Sequence, residues 1–445
     1  MPPRPPKIAP EDSPLLKGFA LAFGAFLGLA ILKFPNPPVL EHLAVAPSDV
    51  WEWLLVSWPV RYAYPLIGLL AVMGIPLLRW PAGVDKRFAA LPLLWLGWVG
   101  LSCTQTIDGR LSTLTVVHFA VCLFCFYAGL LALGRLRQTG LLFAGMICAL
   151  LAVIASGWDQ HFSGLERSRN YFFTYIHPTQ PEVHPDLLKK MQSERIFSTL
   201  FYPNSLAGLL LLIVPVALGL IADARARFTS GARAFLFGAV LVGAGGCLVW
   251  SGSKAGWLLA LGMAVVVLLR LPLQRRWKVL IVSVVLLAGA AGFVVRYAGF
   301  FQRGATSVVA RFDYWRAAGQ NVAAHPLLGT GPGTFGIIYQ DLKQPEAEMA
   351  RLAHNDYLQQ ASDSGMPAAL FFAGTVGWIL WATRRAWTER GWGMFGIWLG
   401  LAGFAAQSLV EFGFQIPATA WCWFGLAGWL VARSGLGFDN KSSPA

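Results

Sequence analysis

The residues best equipped for chemistry lie in Arg351 to Gly365, which reads R-L-A-H-N-D-Y-L-Q-Q-A-S-D-S-G. His354 stands beside Asn355 and Asp356, with Gln359 just beyond. A neutral imidazole can accept a proton near pH 7, so His354 is a candidate general base. Asn355, Asp356 and Gln359 are candidates to orient it or to bind hydroxyl groups. The run after it has the character of a helix that Gly365 can stop. His161, His177, His184 and His325 are rivals. None of them combines such a polar cluster with a helix start beside an apolar run. No H-x-x-x-H pair or Cys/His cluster occurs, so no metal and no other cofactor is expected.

Three cations stand out elsewhere. Arg195 lies in S-E-R-I-F-S-T-L-F-Y-P-N-S-L-A-G, shortly before Pro203-Asn204-Ser205. Asn204 or Ser205 can cap the helix that follows, and an ordinary cap beside a surface arginine would read the same way. Lys254 sits in W-S-G-S-K-A-G at the start of an apolar helix. A lysine at a helix N-terminus favours a phosphate oxygen, and a lysine snorkelling to a bilayer surface would look alike. P-loop spacing is missing there. Arg311 opens A-R-F-D-Y-W, an amphipathic helix running toward Asn321. The following H-P-L-L-G-T-G-P-G-T-F has glycines at 329, 331 and 333. They do not satisfy G-x-G-x-x-G, so a nucleotide-binding fold is not supported. A turn pressed against the bilayer surface is expected instead.

The elements that must position these groups are membrane helices. The chain of 445 residues is 56% hydrophobic and only 13% charged. Its apolar residues come in blocks of roughly 17–22, the length that crosses a hydrocarbon core. One polytopic membrane domain over 1–445 follows, with about twelve transmembrane helices. They fall near 15–34, 59–78, 88–104, 113–134, 140–157, 204–222, 234–250, 255–271, 277–295, 367–383, 393–411 and 414–433. Leu15–Phe34 lacks a small-residue cleavage site and reads as the first span. Cys122 and Cys125 form a C-x-x-C inside a span, which implies packing and not a disulfide.

Charge orients the bundle. One set of loops carries Arg4, Lys7, Lys17, Arg79, Lys86, Arg87, Arg135, Arg137, Arg225, Arg227, Arg233, Arg270, Arg275, Arg276, Lys278, Arg384, Arg385, Arg390, Arg433 and Lys441. The short loops of the other set carry only Lys33, Arg61, Arg110 and Lys254. Both termini are therefore expected in the cytoplasm, with two large loops, 158–203 and 296–366, facing outward. Those loops hold eleven further cations, Arg167, Arg169, Lys189, Lys190, Arg195, Arg296, Arg303, Arg311, Arg316, Lys343 and Arg351. The positive-inside rule leaves these unexplained; a phosphate-bearing ligand would account for them. No nucleic-acid partner is expected.

At A-R-F-D-Y-W, H-P-L-L-G-T-G-P-G-T-F and A-H-N-D-Y-L-Q the chain resembles the O-antigen ligase family, whose superfamily includes O-antigen polymerases and protein O-oligosaccharyltransferases. The S-E-R-I-F-S-T-L-F-Y-P-N-S stretch and the S-G-S-K-A-G turn share the resemblance. It implies an all-helical, GT-C-like membrane glycosyltransferase of the bacterial inner membrane with a periplasmic active site. The implied donor is a glycan on undecaprenyl pyrophosphate, and the implied acceptor is the lipid A–core oligosaccharide. His354 would then be the base, and Arg195, Arg311 and Lys254 the pyrophosphate ligands, with Asn355, Asp356, Gln359 and Asn204 in support. Relatives often carry Arg where this chain has Lys254. The rival readings are a polymerase, a protein-glycosylating enzyme and, outside the superfamily, a lipid or polysaccharide transporter.

Overall fold

The computed structural model describes residues 12–177, 188, 192–302, 306–345, 347–388 and 391–435. Arg4, Lys7, His184, Lys189, Lys190, Arg303, Arg390 and Lys441 lie outside the described residues. The described residues are helical with no strand. Nine of their helices are long and apolar enough to cross a membrane. These are α1 (Pro14–Lys33), α2 (Val60–Leu77), α3 (Lys86–Gln105), α4 (Gly109–Arg135), α5 (Gly140–Thr174), α6 (Pro203–Asp223), α7 (Ser230–Trp250), α9 (Arg275–Gln302) and α12 (Asp356–Ala382). The expected spans near 255–271, 393–411 and 414–433 are also helical, as α8 (Lys254–Arg270), α13 (Trp392–Gln407) and α14 (Pro417–Gly435). Two further helices, α10 (Thr306–Ala324) and α11 (Phe335–Leu342), lie between α9 and α12.

Local chemistry sets where these helices begin. Ser13 caps α1 with Pro14 in the first turn. Asp108 caps α4 through the amides of Arg110 and Leu111, both at 2.9 Å. Ser253 caps α8, each side-chain oxygen satisfying an amide the helix leaves open. Two boundaries differ from the hydropathy reading. α5 continues past 157 as far as Thr174, because polar residues replace apolar ones there without a proline to stop it. Arg296 belongs to α9, not to a loop.

α14 runs through the interior, buried from Pro417 to Ala432, and packs on α1 and α4. Cys122 and Cys125 are buried free thiols. α6 and α13 approach backbone to backbone. A Cβ on Gly396 or Gly400 would run into the carbonyls of Pro215 and Leu212, the small-residue contact that brings membrane helices close. This pairing sets the Asn204 end of α6 beside the segment that follows α13.

α12 is kinked. Gly365 (φ 83°, ψ 168°) ends its first stretch, and the helix resumes with Pro367 near its start. The glycine turn at 329–333 is buried within the protein. Gly329, Gly331 and Gly333 all have positive φ. Their chain wraps the buried Asp363, whose carboxylate accepts from the amides of Gly333 (2.9 Å) and Phe335 (3.0 Å). A buried carboxylate has to find such donors, and it finds them in this turn.

Candidate active site

His354 is held in a left-handed backbone conformation, φ 52°, which is uncommon for a residue with a side chain. The contacts that hold it come from the start of α12. Gln359 accepts the Ala353 amide at 2.7 Å and donates to Asp363 at 2.8 Å. Asn355 caps α12 through the Leu358 amide, 3.0 Å. Asp356 donates its amide to the Ser408 carbonyl (2.8 Å) and accepts from the Phe414 amide (2.9 Å). Asp356 and Gln359 are fully buried. Asn355 thus grips the first turn of α12, Gln359 the backbone beside His354 and Asp356 residues 408 and 414, and none bonds the imidazole. The ring itself stacks on Tyr314 at 5.5 Å and meets the edge of Phe412 at 4.7 Å.

The ring's hydrogen-bond partner is Glu411, whose Oε2 lies 3.2 Å from His354 Nδ1. Its other oxygen accepts from Arg311 Nη2 and, at 2.6 Å, from Asn204 Nδ2. Arg311 also donates to the Val410 and Ser307 carbonyls, each at 2.9 Å. Asn204 Oδ1 accepts from Arg195 Nη2 at 2.8 Å, and Arg195 Nε donates to the Ser251 carbonyl at 2.7 Å. One carboxylate thus joins groups from α6, α10, the 350–355 segment and the turn after α13. Glu411 is only 7% exposed, against 17% for Arg311 and 26% for His354. The cation and imidazole face outward and the anion stays behind them.

Glu411 was not among the residues singled out from the sequence. It ends the apolar run 393–411 and looks like a span boundary. The available signal was a lone carboxylate on a membrane helix's end, a costly placement that usually has a purpose. Burial alone would push its carboxyl up. The hydrogen bond and charge of His354, with Arg311, outweigh burial and hold it below the usual carboxylate range.

Lys254 stands near this network without joining its hydrogen bonds. Its Nζ lies 3.7 Å from the Phe300 ring centroid and 5.1 Å from that of Tyr297. Its pKa falls to about 8, first through burial and then through the charges of Arg195, Arg311 and Arg296. Arg195 is lowered first by burial, with Glu411 opposing that shift and Arg311 adding to it. Cations that depress one another mark a place short of negative charge. Gly252 (φ 61°) belongs to the same turn, where a Cβ would press on Arg195 Nε at 3.1 Å.

Two of the rival histidines are engaged elsewhere. His161 stacks on Trp250 at 3.9 Å, and His177 packs against Phe172 and Phe173. The His325 amide closes α10 on the Asn321 carbonyl. Several outer-loop cations also have local partners. Arg316 pairs with Asp313 at 2.8 Å, and Arg167 with Asp159 at 2.6 Å.

With the Glu411 carboxylate accepting from Nδ1–H, His354 Nε2 keeps its lone pair. In that tautomer an imidazole can accept a proton at Nε2, and two guanidinium groups and an ammonium stand nearby. No curated protein matches the chain. Residues 238–373, a stretch that holds Lys254, Arg311 and His354, match the family model described as O-Antigen ligase.

Proposed function

We propose that the chain is an O-antigen ligase. It transfers a glycan from undecaprenyl pyrophosphate to the lipid A–core oligosaccharide during lipopolysaccharide synthesis. The family match supports a glycosyltransferase of ligase or polymerase type. The single observation that carries the finer reading is the convergence of His354, Arg311 and the Arg195–Asn204 pair on Glu411.

In this reading the acceptor hydroxyl gives its proton to His354 Nε2, and Glu411 stabilises the imidazolium. The acceptor oxygen bonds to the anomeric carbon as the bond from that carbon to the pyrophosphate oxygen breaks. The departing electron pair stays on the pyrophosphate, whose charge Arg195, Arg311 and Lys254 offset. A single displacement inverts the anomeric centre. Cations already in place supply the electrostatic stabilisation, so a metal-independent reaction is proposed. The fold would be GT-C-like with twelve spans in the inner membrane. Both termini would be cytoplasmic, with the stretches between α5 and α6 and between α9 and α12 on the periplasmic side.

A polymerase or a protein O-oligosaccharyltransferase would use the same donor site with another acceptor. A transporter fits less well, since these ionisable groups gather at helix ends and transport sites usually lie near mid-membrane. The test is complementation of a ligase-null Gram-negative strain. Restored smooth lipopolysaccharide is expected from the wild type and not from H354A at equal protein level. The purified chain is expected to transfer glycan with a chelator present. Failure to complement, or normal transfer by H354A, would refute the reading.

A further inference from the structure

Arg195 is held by more than its own hydrogen bonds. Its Nε donates to the Ser251 carbonyl and its Nη2 to Asn204 Oδ1. The guanidinium is planar, so with two nitrogens engaged the direction of Nη1 follows from where the backbone sets the residue. That backbone is fastened just downstream. The Ile196 amide donates to the Trp250 carbonyl at 3.2 Å. Ser198 Oγ donates to the Val153 carbonyl at 2.7 Å.

Three further bonds to this segment come from one side chain of α5. Gln160 Oε1 accepts the amides of Phe197 (3.0 Å) and Ser198 (2.7 Å), and Gln160 Nε2 donates to the Ser198 carbonyl at 2.9 Å. A primary amide carries an acceptor and a donor on one fork, so it can close on both polar groups of a peptide backbone. A carboxylate lacks the donor and an ammonium lacks the acceptor. Gln160 opens a π-helical turn, Gln160–Gly164, and such turns recur at functional sites.

The segment needs this grip. Ser198 has φ 55°, and among the described residues His354 is the other non-glycine residue with positive φ. Such a conformation persists where its surroundings over-determine it. Beside His354 that support comes from Gln359, through the Ala353 amide. At Ser198, three residues past Arg195, it comes from Gln160.

We propose that Gln160 is a positioning residue, which fixes the Ile196–Ser198 backbone and through it aims Arg195 at the pyrophosphate of the donor. The donor part of this assignment rests on the transferase reading, in which Arg195 meets pyrophosphate.

The experiment uses the purified full chain in detergent, with inorganic pyrophosphate as the probe in calorimetric titration and hydrogen exchange read by mass spectrometry. Q160A is expected to speed exchange between Arg195 and Leu200 and to leave the other helices as in the wild type. It is expected to weaken pyrophosphate roughly tenfold, the scale of one charged hydrogen bond. R195A is expected to weaken it at least as far, and Q160A/R195A no further than R195A, because Gln160 acts through that arginine. Should Q160A fail to fold, Q160E carries the same test. It keeps an acceptor for both amides, loses the donor to Ser198, and is expected to show the same coupling at smaller size. Unchanged pyrophosphate affinity in Q160A would overturn the proposal. So would a further loss from Q160A in the R195A background, or faster exchange spread across the helices, the marks of a role in folding alone. A wild type that does not bind pyrophosphate would remove the role given to Arg195 and the proposal with it. In the transfer assay, kcat/KM for the donor is expected to follow the same coupled pattern. A chain with no transfer activity that keeps the coupling would refute the ligase reading and leave the positioning role standing. An active ligase in which the two residues act independently would do the reverse.

Discussion

His354 and Glu411 form one chemical unit, and Arg311 competes for the same carboxylate. E411Q keeps the shape and removes the anion that fixes the imidazole tautomer. Its kcat is expected to fall by about 10²-fold or more, and an unchanged kcat would show that His354 works alone. The carboxyl of Glu411 is held below its ordinary value. Its contribution to stability is therefore present above the unfolded-state pKa and lost as pH falls through the folded-state value. Thermal melting of E411Q is expected to be flatter than wild type across that acid range. Lys254 has the opposite dependence. Its pKa of about 8 means that its charge is present below about pH 8 and lost above it. Donor KM is expected to rise through that range in the wild type and to stay level in K254R, since Arg remains protonated. The same alkaline rise in both would take Lys254 out of the donor site.

At the scale of helices, the site depends on α6 and α13 lying in contact. Their approach carries Asn204, at the start of α6, to Glu411, just past the end of α13. G400L would thrust a side chain into the Leu212 carbonyl. A loss of about 1–3 kcal/mol in stability is expected from such overpacking, together with loss of transfer. G238A is the comparison, because a Cβ at Gly238 would meet open space. Unimpaired transfer by G400L would mean that the helices can separate without disturbing Asn204 and Glu411. The positions of these helices were legible, because each apolar block reports its own length. The α5 extension was not, because polar residues can continue a helix that hydropathy alone would end. The glycine turn at 329–333 was legible as a turn. Its purpose, wrapping Asp363, was not, since that carboxylate lies 30 residues from Gly333.

Across the whole molecule, the bundle exposes apolar surface that water would not tolerate. The apolar window of α9 has no buried residue, and Val279, Leu287 and Val295 all stand exposed. Such a helix is stable against lipid or a partner helix, which agrees with a multi-pass membrane protein. His354, Arg311, Arg195 and Lys254 gather at one end of the bundle, and we propose that the charge asymmetry turns that end outward. Single cysteines at the exposed positions Gln302 and Arg225, in a cysteine-free background, test that orientation. A membrane-impermeant maleimide is expected to label Q302C and to spare R225C in cells with a permeabilised outer membrane. The reverse pattern would invert the topology and place the site in the cytoplasm.

The sequence alone determined the helical membrane character and most helix positions, because hydrophobic length and cap chemistry act within a few residues. It also marked His354, Arg195, Arg311 and Lys254 as candidates, by residue type and local setting. Only the tertiary structure decided that two of those cations and the imidazole share one network, and that Glu411 stands at its centre. Glu411 lies 57 residues from His354, 100 from Arg311 and 207 from Asn204. Pairings at such separations arise from how helices pack, and no local pattern in the chain records them.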